Sequence, residues 1–120
     1  MTKVTPIWIM IAGPYRHGAK NEDDRAQNLL RMNQCARQVL QKGHVPIVGV
    51  NAALPIIESA IDVDYEEVMT PLCQALAGKC DALLRLPGES SGADDEMRIV
   101  QSHGGRIYHS IDDIPAVTQP

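Results

Sequence analysis

Apolar positions change period along the chain, and each change marks an element. Ile7, Trp8, Ile9, Met10, Ile11 and Ala12 form an unbroken apolar run that stops at Gly13 and Pro14, the pattern of a central parallel strand buried on both faces. From Asn21 or Asp24 to Lys42 the apolar positions Leu29, Leu30, Met32, Val39 and Leu40, with Ala26, Cys35 and Ala36, recur at helical spacing. Glu22, Asp23 and Asp24 open that helix and Gly43 closes it. Residues 44–50, with Val45, Ile47, Val48 and Val50, read as a second strand ending at Asn51. Residues 52–60 are ambiguous, a short helix broken at Pro55. Residues 63–79 place Val68, Met69, Leu72, Leu76 and Ala77 on one helical face, with Pro71 either kinking the helix or sitting in its first turn. Residues 80–86 form a third strand ended by Pro87 and Gly88, 89–93 a polar loop, 94–102 a helix and 106–109 a fourth strand. The tail from Ser110 holds at most a short helical turn.

Strands alternating with helices predict an α/β fold: a parallel sheet of four to five strands, covered on both faces as a three-layer α/β/α sandwich. In such open sheets the ligand lies beyond the carboxyl ends of the strands, where the strand order reverses. That rule selects three loops: residues 13–18, 49–53 and 87–96.

The 120 residues suit one domain, and 44% hydrophobic content supplies a core without staples. Eleven Lys and Arg against fifteen Asp and Glu, with no basic run, argue against a nucleic-acid or anionic-membrane surface. The longest apolar run is too short to span a bilayer and the start lacks the features of a signal peptide, so a cytoplasmic protein is expected. Three cysteines without a CxxC pair, and scattered histidines, predict neither disulfide nor metal site. Cys73 and Cys80, seven apart, are expected as buried thiols on one helix face. Apolar stripes on the long first helix and around Tyr65 exceed what one sheet face covers, which predicts a homo-oligomer.

The first loop joins Gly13, Tyr15, Arg16 and His17. It reads either as a ligand floor, with Gly13 allowing close approach, Tyr15 stacking on a planar ring and Arg16 meeting an anion, or as a Gly-Pro turn with solvated side chains. The third loop places Ser90, Ser91 and Gly92 before Asp94, Asp95 and Glu96. It reads as an anion site at a helix start, or as plain capping by Ser91 or a neighbour with three acids in the first turn. Glu96 reads either as a carboxylate projecting into the cleft, where it can act as nucleophile toward a sugar carbon of oxocarbenium character, or as one more acid of a helix start. Asn51 either bonds a sugar or base or caps the following helix. Asp81 reads as polarity at the start of a strand.

The first strand ending at Ala12, Gly13, Pro14 and Tyr15, the approach to the second strand through Gly43, His44, Val45 and Pro46, the third strand starting at Lys79, Cys80, Asp81 and Ala82, and the helix start at residues 90–96 together resemble the nucleoside 2-deoxyribosyltransferase-like superfamily. The resemblance covers residues 7–108. It implies a flavodoxin-like sheet and a cleft that binds a small-molecule nucleoside or nucleotide and breaks the base–deoxyribose bond without a cofactor. In its terms Glu96 is the nucleophile, Tyr15 lies near the base, and Gly13 is the close-approach glycine. Ser90, with Gly92 in the same loop, and Arg16 match the residues that meet a 5'-phosphate in the nucleotide-hydrolysing branch. One position departs. Where the family pattern places an aspartate ahead of the third strand, this chain has Cys73, and Asp94 or Asp95 is then the alternative source of acid–base chemistry. Two function classes follow: an N-glycosyl transferase or hydrolase, and a catalytically weak nucleotide-binding or sensing protein on the same fold.

Overall fold

The computed structural model describes residues 2–119. The chain runs β1 (Trp8–Ala12), α1 (Glu22–Gln41), β2 (Val45–Val48), α2 (Gly49–Ile57), α3 (Tyr65–Ala77), β3 (Ala82–Arg85), α4 (Ser91–Ser102), β4 (Arg106–Tyr108) and a short 3-10 turn at Ile111–Asp113. All four strands are parallel, in the order β2-β1-β3-β4. This is a flavodoxin-like order. α1 and the 3-10 turn pack together on one face, and α2, α3 and α4 pack in series on the other, making the α/β/α sandwich. The chain leaves β1 toward β2 on one side and returns past β1 to β3 on the other, so the carboxyl ends of β1 and β3 flank the switch point. No helix among the described residues is long and apolar enough to cross a membrane.

The core is the middle of the sheet: Ile9, Met10, Ile11, Leu83 and Leu84 are fully buried, with Met32 and Val39 from α1 and Val100 from α4. Trp8 is half exposed, so burial on both faces begins at Ile9. On α1, Leu29, Met32, Ala36 and Val39 share the inward stripe, whereas Leu30 and Leu40 face solvent, about one residue step around the helix from it. Asn21 Oδ1 accepts from the Asp24 N–H at 2.9 Å and starts that helix. At the opposite edge of the sheet, buried His44 accepts from the Ile7 N–H through Nδ1 (3.2 Å) and donates from Nε2 to the Pro115 carbonyl (2.7 Å), tying the C-terminal segment beneath β1. Asp81 accepts from the Trp8 N–H at 2.8 Å, a structural bond at the start of a strand.

Helix boundaries differ from the sequence reading in ways that move the site. β2 ends at Val48 and the chain turns into α2 at the next residue, so Val50 and Asn51 are helical rather than strand and loop. Pro55 does not break α2. It lies in the last turn, where one backbone bond is lost, and the Glu58 N–H still reaches the Leu54 carbonyl at 2.9 Å. α3 starts at Tyr65 because Asp64 accepts from the Glu66 and Glu67 N–H groups, which leaves Pro71 in the helix interior. Cys80 lies beyond the end of α3, so the two buried thiols do not share a helix face. α4 starts three residues earlier than the acidic run suggested, since Ser90, not Ser91, is extended and caps the Ala93 N–H at 3.1 Å. Ser91, Gly92 and Ala93 therefore form its first turn, and Glu96 sits in the second.

Gly49 fixes how closely α3 approaches the sheet. A Cβ there would stand 2.6 Å from Cys73 Sγ and 3.2 Å from Met10 Cε. Gly49→Ala is expected to cost about 1–3 kcal/mol in urea unfolding through overpacking, and the cost should shrink when combined with Cys73→Ala; an equal cost in both backgrounds would place the strain elsewhere.

Candidate active site

A cleft of about 420 Å³ opens over the carboxyl ends of the strands. Ile11, Ala12 and Met32 form its floor, with Gly49 and Val50 at the start of α2. One wall is the loop after β1, carrying Gly13, Tyr15, Arg16 and His17. A second is α3, whose stripes Tyr65, Met69, Cys73 and Glu66, Thr70, Gln74 repeat every fourth residue and so face the cleft side by side. The third is α4, with residues 90–93, Asp95 and Glu96.

Glu96 is the chemically distinctive group. Its position in the second turn of α4 aims it down into the cleft, where it is largely buried and shares the lining with Tyr15. Burial pushes its carboxyl up to about 7, and Asp95 adds to the rise; a hydrogen bond from the Cys73 thiol and the charge of Arg85 partly oppose it. Cys73 itself is pushed up to about 12, first by burial and then by Glu96, so it stays a protonated, weak donor that also faces Met69 Sδ at 3.5 Å. At neutral pH Glu96 is therefore poised between acid and carboxylate.

The other candidates separate by place. Tyr15 is half-buried against the core, and its carbonyl accepts from Asn28 Nδ2 at 2.8 Å. Arg16 lies over the Tyr65 ring at 3.9 Å and 3.8 Å from Glu66, while His17 stands 3.2 Å from Glu89. A Cβ on Gly13 would come within 3.0 Å of Leu86 Cβ, so the lack of a side chain serves packing between β1 and β3 there; one on Gly92 would meet open space. Ser90 spends a lone pair on the α4 cap, and Ser91 is exposed on the cleft rim. Two candidates do not line the cleft. Asp94 is the partner of Arg85, at 3.0 Å, and so braces α4 against β3 in place of an acid–base role. Asn51, turned outward on α2, bonds Asn33 at 2.6 Å. Asp95 remains on the lining, paired with Arg98.

The sequence reading singled out Tyr65 and Cys73 but missed Glu66, Met69, Thr70 and Gln74. Their four-residue spacing within the helix read over residues 63–79 is the signal that marks them. Among the described residues, no group of three His, Cys, Asp or Glu is arranged to hold a metal ion. A second hollow of about 790 Å³ runs along α1 past Arg31, Gln38 and Leu86; it is larger but no carboxylate lines it. No protein-family model matches the chain, and no curated protein is significantly similar to it.

Because the folded carboxyl is raised from 4.5 to about 7, ionising Glu96 weakens the fold: the native state loses stability as pH climbs from about 4.5 through 7, and the loss is complete above. Glu96→Gln should match wild type near pH 4 and exceed it at pH 8 by up to about 3 kcal/mol. Thermal unfolding across that range checks this; a variant equal or less stable at pH 8 would contradict it.

Proposed function

We propose that the protein breaks the N-glycosidic bond of a deoxyribonucleoside or its 5'-monophosphate, passing the sugar to a second base or to water. The observation that carries this reading is Glu96: a largely buried carboxyl with a raised pKa, in the same cleft as an aromatic floor at Tyr15, at the switch point of a doubly wound sheet. The motif resemblance at residues 7–15 and 90–96 points to the same chemistry.

In this mechanism the base lies against Tyr15 and the deoxyribose over Glu96. The Glu96 carboxylate attacks the anomeric carbon as the bond to the base nitrogen breaks, and the bonding pair leaves with the base. A glycosyl ester on Glu96 results. Attack by an incoming base or water at the same carbon releases Glu96 as carboxylate, and the proton that the nucleophile loses passes through solvent to the departed base. The surrounding Cys73, Met69 and Met32 supply an apolar setting in which a carboxylate is poorly solvated and hence a stronger nucleophile.

One observation favours a second reading. The group facing Glu96 is the Cys73 thiol, held protonated far above neutral pH, and it supplies no strong acid for the departing base. A binding or sensing protein would keep the cleft without turnover.

Chromatographic release of free base from deoxyribonucleosides and their 5'-monophosphates, with and without an acceptor base, separates the readings. Glu96→Gln is expected to lower release by about a hundredfold or more. Wild-type release should rise with pH through about 7 and level off above, following the carboxylate form. No release from any substrate, with nucleotide binding intact, would favour the sensing protein.

A further inference from the structure

Arg16 and His17, on the loop after β1, each meet a carboxylate from a different wall. Arg16 stacks on Tyr65, 3.9 Å from the ring centroid, and its Nη1 lies 3.8 Å from Glu66 Oε1. Glu66 is held in that direction, since its other oxygen accepts from the Thr70 hydroxyl at 3.0 Å, one helical turn on. On the opposite rim His17 Nε2 stands 3.2 Å from Glu89. The remaining charged side chains of the lining, Asp95 and Glu96, are both acidic.

From this arrangement we infer that Glu66 is a specificity-determining residue, which by engaging Arg16 at the cleft mouth makes the site select uncharged nucleosides over their 5'-monophosphates. The inference rests on the N-glycosyl reading above. A phosphomonoester carries a charge of about −1.5 to −2 at neutral pH. To use Arg16 it must either part the guanidinium from Glu66 or crowd a further anion beside it, and it enters a lining that already holds Glu66 and Glu96, while Asp95 is paired with Arg98. The backbone N–H groups at the start of α4 attract an anion, but Ser90 already caps the Ala93 N–H, and Asp95 one turn along is balanced by Arg98 and leaves no net positive charge there. A free 5'-hydroxyl meets none of this repulsion. Because the Arg16–Glu66 pair is solvent-exposed, its individual contribution is modest, and the expected discrimination is several-fold rather than absolute.

Calorimetric titration of the full chain with a purine 2'-deoxynucleoside and with its 5'-monophosphate tests the inference. Wild type should bind the nucleoside more tightly. Glu66→Gln should raise affinity for the monophosphate about fivefold while leaving the nucleoside within about twofold, and Thr70→Val should move the ratio the same way by less. Tighter binding of the monophosphate by wild type, or a Glu66→Gln variant that shifts both ligands by one common factor, would overturn the role of Glu66 and leave the glycosyl reading standing. Failure of every variant to bind either ligand would overturn both.

Discussion

The contact of Cys73 with its surroundings sets the architecture of the cleft. From the middle of α3 its sulfur meets the bare backbone of Gly49 where β2 becomes α2, lies near Met10 on β1, and faces Met69 and the carboxyl of Glu96. A side chain on Gly49 would push α3 outward; a smaller residue at 73 would open a gap beneath Glu96. The close approach of helix and sheet therefore does two things together. It completes the core on that face, and it takes a carboxyl out of water.

That desolvation is what separates Glu96 from the other acids of the region. Asp94 and Asp95 precede it directly, yet Asp94 is bound by Arg85, and Asp95, on the cleft lining, by Arg98. Glu96, one and two residues further around the helix, faces inward. Three adjacent carboxyls thus have three uses, set by a rotation of about 100° per residue rather than by residue type. The cleft mouth follows the opposite rule: its charges are exposed, paired across walls and individually weak, so they bias which ligand enters without fixing the fold.

The alternation of strands and helices was legible because long apolar runs and amphipathic stripes average over local detail; the strand order and the cleft at the switch point follow from that alternation and from handedness. Boundaries were less legible where a single hydrogen bond decides them. The hydroxyl of Ser90 and the carboxylate of Asp64 each start a helix, and no apolar periodicity reveals which of several polar residues will do so. Misplacing the start of α4 puts Glu96 one turn too early. Asn51 was misread for a related reason: the direct passage from β2 into α2 carries it outward, and this passage depends on Gly49 meeting Cys73 across the fold, a long-range contact that no local pattern announces. The packing role of Gly13 against Leu86 is likewise visible only once β1 and β3 are paired.

The fold holds the Glu96 carboxyl largely out of water in the cleft. Carbon-13 NMR titration of the side-chain carboxyl carbons, with Glu96 assigned by comparison with Glu96→Gln, measures this directly. A desolvated carboxyl predicts a Glu96 midpoint near 7. A midpoint near the ordinary 4.5 would mean that the carboxyl is solvated, and would remove the physical basis for placing the chemistry there.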